Sequence, residues 1–131
     1  MTPTRKRILI ADCHEDVLII LERLLEDAGF DTTTAWSAKE ALKLAESHAF
    51  DLVLLNNHLP DAECETVLSA LQSRGDQTPC ILMQSSALEI ADFTQLRALG
   101  ARDVVCKRSL PRIVEIVRGR LRCDGNLVPA A

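Results

Sequence analysis

Polar side chains able to do chemistry gather where short apolar runs end. The run in "ILIADCHEDV" (8–17) gives way to Asp12, Cys13 and His14, a carboxylate, a thiol and an imidazole in succession. "DLVLLNNHLP" (51–60) ends on two amides, Asn56 and Asn57, followed by His58. "TPCILMQSS" (78–86) ends on Gln84, and "RDVVCKRS" (102–109) on Cys106 and Lys107. If these runs are strands of a parallel α/β sheet, their carboxyl ends form the rim where ligands and reactions collect. Thiol, imidazole and carboxylate donors suit a borderline or soft metal, with Cys13, His58 and Asp12 as the candidate set, although the spacing matches no zinc pattern. Cys13 is also a candidate redox thiol if Lys107 lowers its pKa, with neighbouring Asp12 opposing that shift. Asp12 and Lys107, being of opposite charge, can pair across strand ends. Two neutral amides at such a rim are the anomaly, since a reactive protein would carry charge there.

The elements that must position these residues follow from hydrophobic spacing. Runs 7–12, 31–36, 51–56, 79–84 and 102–107 read as strands, with 51–56 the most apolar and the polar 31–36 nearer an edge. Between them lie helical patterns at 15–29, from Ser37 through residue 48, 62–75, 87–100 and 109–122. The first carries Val17, Leu18, Leu21, Leu24, Leu25 and Ala28 on one face and stops at Gly29. "SAKE" (37–40) is a Ser-x-x-Glu capping box. In the last, Ser109 is the predicted cap, Pro111 falls in the tolerant first turn, and Leu110, Ile113, Val114, Val117 and Leu121 form the inner stripe. Five β-α units in regular alternation predict a doubly wound parallel sheet with helices on both faces. A single domain is expected over 1–122, followed by a frayed tail over 123–131.

Composition narrows the function. A formal charge of −4 disfavours direct binding to nucleic acid, which depends on neutralising phosphates. With no Tyr, one Trp and three Phe, a base-stacking platform is disfavoured too. Five widely spaced cysteines without a C-x-x-C suit reduced thiols used mainly as small hydrophobes. The amino-terminal apolar run reaches only from Ile8 to Ala11 before Asp12, too short for a signal peptide or a membrane span, so a cytoplasmic protein is expected. The turn "ADCHED" contains no glycine for a dinucleotide pyrophosphate, and no phosphate-binding Walker loop occurs.

Taken together, "ILIADCHEDV", "DLVLLNNHLPD", "TPCILMQSS" and "LGARDVVCKRSLP" have the order and spacing of a response-regulator receiver domain. The chain resembles that CheY-like, flavodoxin-like family from about residue 7 to residue 121. The resemblance implies strand order 2-1-3-4-5 and transfer of a phosphoryl group from a partner's phosphohistidine to an aspartate at the end of strand 3. On that alignment the acceptor position, four residues before Pro60, is Asn56. The acidic pair falls on Asp12 and Cys13, the hydroxyl position on Gln84, the lysine on Lys107 and the strand 5 aromatic on Val104. The proline usual after the lysine is Arg108, and the glycine usual after the strand 3 loop is Cys64.

An amide is no nucleophile toward phosphorus, because its nitrogen lone pair is delocalised and its oxygen bears no full charge. Magnesium prefers carboxylate, phosphate and water oxygens, and only one of the three carboxylates implied by the resemblance is present. The resemblance with these departures implies a non-phosphorylatable pseudo-receiver with no catalytic residue, no cofactor and weak or absent magnesium binding, Asp12 being the one weak metal candidate. Asp51, five residues back, and Asp61, expected to face solvent, are poor substitutes for the acceptor. Asn57 is expected to be a turn former and Asn56 a hydrogen-bonding filler. Such a domain would act through protein contacts with a histidine kinase or an output protein. Arg97, Arg102, Val104, Arg112 and Arg118 are candidates for the surface of helix 4, strand 5 and helix 5, which could equally make a homodimer. For the arginines of the last helix, the alternative is a solvated helix end favoured by the macrodipole. An atypical receiver that still takes a phosphoryl group, or binds a metal through a non-standard site, is the rival reading.

Overall fold

Alternation of apolar strands with amphipathic helices produces the layered sheet that the sequence predicts. The computed structural model describes residues 5–85 and 93–121. Strands β1 (Arg7–Ala11), β2 (Asp31–Ala35), β3 (Leu52–Asn56), β4 (Cys80–Gln84) and β5 (Ala101–Cys106) alternate with helices α1 (Glu15–Asp27), α2 (Ala38–Ser47), α3 (Cys64–Ser73), α4 (Phe93–Ala98) and α5 (Leu110–Leu121). All strand pairs are parallel, in the order β2-β1-β3-β4-β5. Every residue of β3 and β4 is buried, whereas β2, with its three threonines, lies at an edge.

Period-two alternation sends side chains into two cores. Leu9, Ala11, Val53, Leu55 and Leu82 pack with α2, α3 and α4, while Ile8, Ile10, Leu52, Leu54, Ile81 and Met83 pack with α1 and α5. In α1 the inner stripe lies as the spacing predicts, and Ile19 and Ile20 turn outward, 58% and 45% exposed.

The amino end of α2 shows how local chemistry fixes a helix start. Four backbone N–H groups at such an end have no partner inside the helix. Ser37 Oγ accepts from Glu40 N at 3.1 Å, Ser37 O accepts from Ala41 N, and the Asp61 carboxylate accepts from Ala38 N and Lys39 N at 2.8 and 2.9 Å. Glu40 Oε1 reaches back to Trp36 N, one residue beyond the usual capping-box partner.

Helix bounds differ modestly from the sequence reading. The helix expected over 62–75 is Cys64–Ser73, because Leu59 N donates to Ala62 O and holds residues 59–62 in a turn. Of the helix expected over 87–100, Phe93–Ala98 is helical, and 87–92 lie outside the described residues, as do Arg122 and the tail 123–131. Core and surface give a direct contrast. Leu54→Ala, in the fully buried central strand, should cost about 2–5 kcal/mol in urea unfolding, whereas Ile19→Ala should stay within about 0.5 kcal/mol.

Candidate functional site

Three strands on one side of the sheet deliver the central residues. Ile8 and Ile10 of β1 face α1 and α5, so Asp12 follows on that side; Leu52 and Leu54 bring Asn56 to it, and Val105 brings Lys107. Register sets them close together, since Ala11 pairs with Leu55 and Asn56 with Met83. Gln84 is buried at the end of β4, where alternation gives it the side of Leu82, and its carbonyl accepts from Lys107 N at 2.8 Å.

The anticipated ion pair forms. Lys107 Nζ donates to Asp12 Oδ2 at 2.9 Å, with the side chains 7% and 0% exposed. Asp12 Oδ1 accepts from His14 N at 3.0 Å and from the ring Nδ1 at 2.8 Å, which places the carboxylate over the start of α1, where an acid is favourable. His14 occupies the helix cap position, and its own side chain does not cap the helix. Beside this group, His14, Asp16, Val17, Ser85, Lys107 and Arg108 line a shallow cleft of about 270 Å³.

Asn56 is 3% exposed and bridges its own loop, Nδ2 donating to His58 O at 2.7 Å. Its Oδ1 is buried and, among the described residues, has no hydrogen-bond partner. A buried acceptor of this kind ordinarily costs about 1–3 kcal/mol. Asn57 is buried as well and anchors the loop through its backbone, its N–H to Met83 O and its carbonyl to Cys64 N. No described residue other than glycine has positive φ, so Asn57 turns the chain without a left-handed conformation. Cys64 likewise fits without glycine's freedom; its thiol packs in the core, and burial pushes its pKa up to about 12.

Several sequence expectations change. His58 does not join Asp12 and Cys13: its ring pairs with Glu63 across the β3–α3 loop, and the imidazole brought to Asp12 is that of His14. The missed signal was adjacency, because the chain turns at the start of α1 and folds residue 14 back over residue 12. Asp61 does not merely face solvent, since its two oxygens cap α2. Asp51 accepts from Arg7 N at the opposite end of the sheet. Cys13, Cys64, Cys80 and Cys106 are free thiols, and Cys123 lies outside the described residues. Of the surface candidates, Arg97 stacks on Phe93, Arg102 is exposed on edge strand β5, and Val104 packs partly against the α2–α4 core. Arg112 is exposed in the first turn of α5. Arg118 departs from that surface, lining a cleft with Phe30 toward α1; Arg120 instead reaches β5, donating to Arg102 O and pairing with Asp103.

Lys107→Met should destabilise the domain by about 3–5 kcal/mol in urea unfolding, because it leaves the Asp12 carboxylate buried without its counter-charge. Asp61 gives a pH signature. The Ala38 and then the Lys39 backbone N–H groups hold its pKa below the ordinary 3.8, so its stabilisation is complete above that value and is lost as pH falls through the lower folded-state pKa. The stability advantage of the wild type over Asp61→Asn should therefore be constant at neutral and mildly acidic pH. It should shrink below about pH 4, as urea midpoints across an acid series would show.

With this geometry the known relatives agree. The sequence model of the response regulator receiver domain matches residues 8–118. The alkaline phosphatase synthesis transcriptional regulatory protein PhoP of Bacillus subtilis is 33% identical over 127 residues, covering 96% of this chain and 52% of that protein. Transcriptional regulatory protein PrrA of Mycobacterium tuberculosis is 32% identical over 125 residues, covering 94% and 53%. The chain thus spans about half the length of these curated relatives. A CheY-like response regulator receiver domain protein from Methanospirillum hungatei JF-1 superimposes with a TM-score of 0.82 at 27% identity, covering 91% of this chain and 95% of that one. No helix among the described residues is long and apolar enough to cross a membrane. From residue 8 to residue 118 the sequence, and in its five-stranded order the fold, place this chain in the response regulator receiver domain family.

Proposed function

We propose that this chain is a receiver domain that signals through protein contacts and takes no phosphoryl group at the end of β3. The observation that carries the reading is Asn56, an amide at the position where the family's resemblance puts the acceptor carboxylate. Nδ2 of that amide is already committed to His58 O, so the side chain serves the loop. The remaining carboxylate, Asp12, is neutralised by Lys107 in a buried pair, which leaves little negative charge to attract magnesium. The domain catalyses no transfer to itself, and its input and output lie in contacts with a kinase or an output protein of a two-component pathway. Arg97, Arg102, Arg112 and Arg120, around α4, β5 and α5, give such a partner a basic surface.

Intact-mass analysis after incubation with acetyl phosphate and magnesium tests the reading. The mass should stay unchanged, and a magnesium-dependent gain of one phosphoryl group would overturn it. Asn56→Asp alone should label poorly, because Cys13 still replaces the second acid, whereas Asn56→Asp with Cys13→Asp should label well. Equal labelling of the single and double variants would refute the part assigned to Cys13.

A further inference from the structure

We infer that Asp12, Cys13 and His14 form a site for a divalent cation of the zinc class. The three supply one carboxylate, one thiol and one imidazole, and a donor atom of each lies within 4.8 Å of the others. Three consecutive residues converge because Asp12 Oδ1 holds both the backbone N–H and the ring of His14, folding the ring back toward Cys13. His14 Nδ1 stands 2.8 Å from Asp12 Oδ1 and 4.0 Å from Cys13 Sγ. Tetrahedral zinc with ordinary bond lengths would place these atom pairs roughly 3.3 and 3.6 Å apart. Shifts of about half an ångström bring those two pairs to that geometry, and Cys13 and His14, the side chains that move, are both exposed.

Two further features bear on a ligand here. Asn56 Oδ1, buried and unpartnered among the described residues, ends the neighbouring strand on the same side of the sheet. Lys107 holds Asp12 Oδ2 and orients the carboxylate, while its Nζ also lies 3.4 Å from His14 Nδ1, so a cation bound there requires the ammonium to swing away from the ring. The donor set selects the metal: a thiolate and an imidazole suit zinc or cobalt, whereas magnesium demands an octahedron of hard oxygens. On binding, bonds from sulfur, Nδ1 and Oδ1 to the metal form, and the Nδ1–H···Oδ1 hydrogen bond breaks. The thiol proton leaves to solvent, the ring proton moves to Nε2, and no electrons are transferred. This site goes beyond the signalling role proposed above and does not depend on it, since acetyl phosphate labelling and metal binding are read separately.

Cobalt(II) titrated into the full chain is the probe. The expected result is a thiolate-to-cobalt charge-transfer band with tetrahedral d–d absorption, displaced by zinc and unaffected by excess magnesium. Cys13→Ser, an exposed position, should abolish the band, and Cys106→Ser should retain it. Zinc should slow alkylation of Cys13 by about tenfold or more, as peptide mapping would show. Buried Cys64 and Cys80, with thiol pKa values pushed up to about 12, should stay unreactive with or without metal. No charge-transfer band, or a band that survives Cys13→Ser, would overturn the assignment.

Discussion

The arrangement at the strand ends depends on one buried ion pair, Lys107 with Asp12, which joins β1 to the loop after β5 across 95 residues of chain. Neither group is tolerable alone in so buried a place. A lone carboxylate or ammonium there would cost several kcal/mol of lost hydration, and the contact at 2.9 Å offsets that only because further hydrogen bonds complete the carboxylate. His14 supplies them through its backbone N–H and ring. A single pairing therefore fixes the direction of Asp12, the start of α1 and the entry to α5.

Around that pair the loops are tied down by local bonds. Asn56 Nδ2 holds His58 O, His58 pairs with Glu63, and Asp61 reaches across to the start of α2. The β3–α3 loop is thereby fastened at its beginning, its middle and its far side. Such fastening sets the shape of the strand-end loops through the chain's own side chains.

Strands and helices were legible because each obeys a period, two or 3.6, that burial enforces on every residue; "DLVLLN" announced β3 and "SAKE" announced the cap of α2. The Asp12–Lys107 pair was legible as well, since parallel strand ends bring opposite charges together. Contacts set by loop geometry were hidden. Nothing in the spacing tells that Asp61 will reach residue 38, or that His14 will displace His58 beside Asp12. Those contacts depend on the direction in which the chain leaves the sheet. Arg118 and Arg120 show the same limit on a helix: two residues apart, they lie about 200° around its axis, and only packing reveals which flank meets β5.

The charge balance links the two proposals made for this rim. Three carboxylates at a strand-end rim would repel one another and call for a hard divalent cation to hold them together. Asn56 and Cys13 stand at two of the positions where the family resemblance puts such carboxylates, and Lys107 pairs with Asp12 at the third. The same replacements bring in a thiol, and the turn into α1 sets an imidazole 4.0 Å from it. Removing hard oxygens and adding soft donors move preference in one direction, away from the cation that supports phosphoryl transfer and toward one that a thiolate can hold.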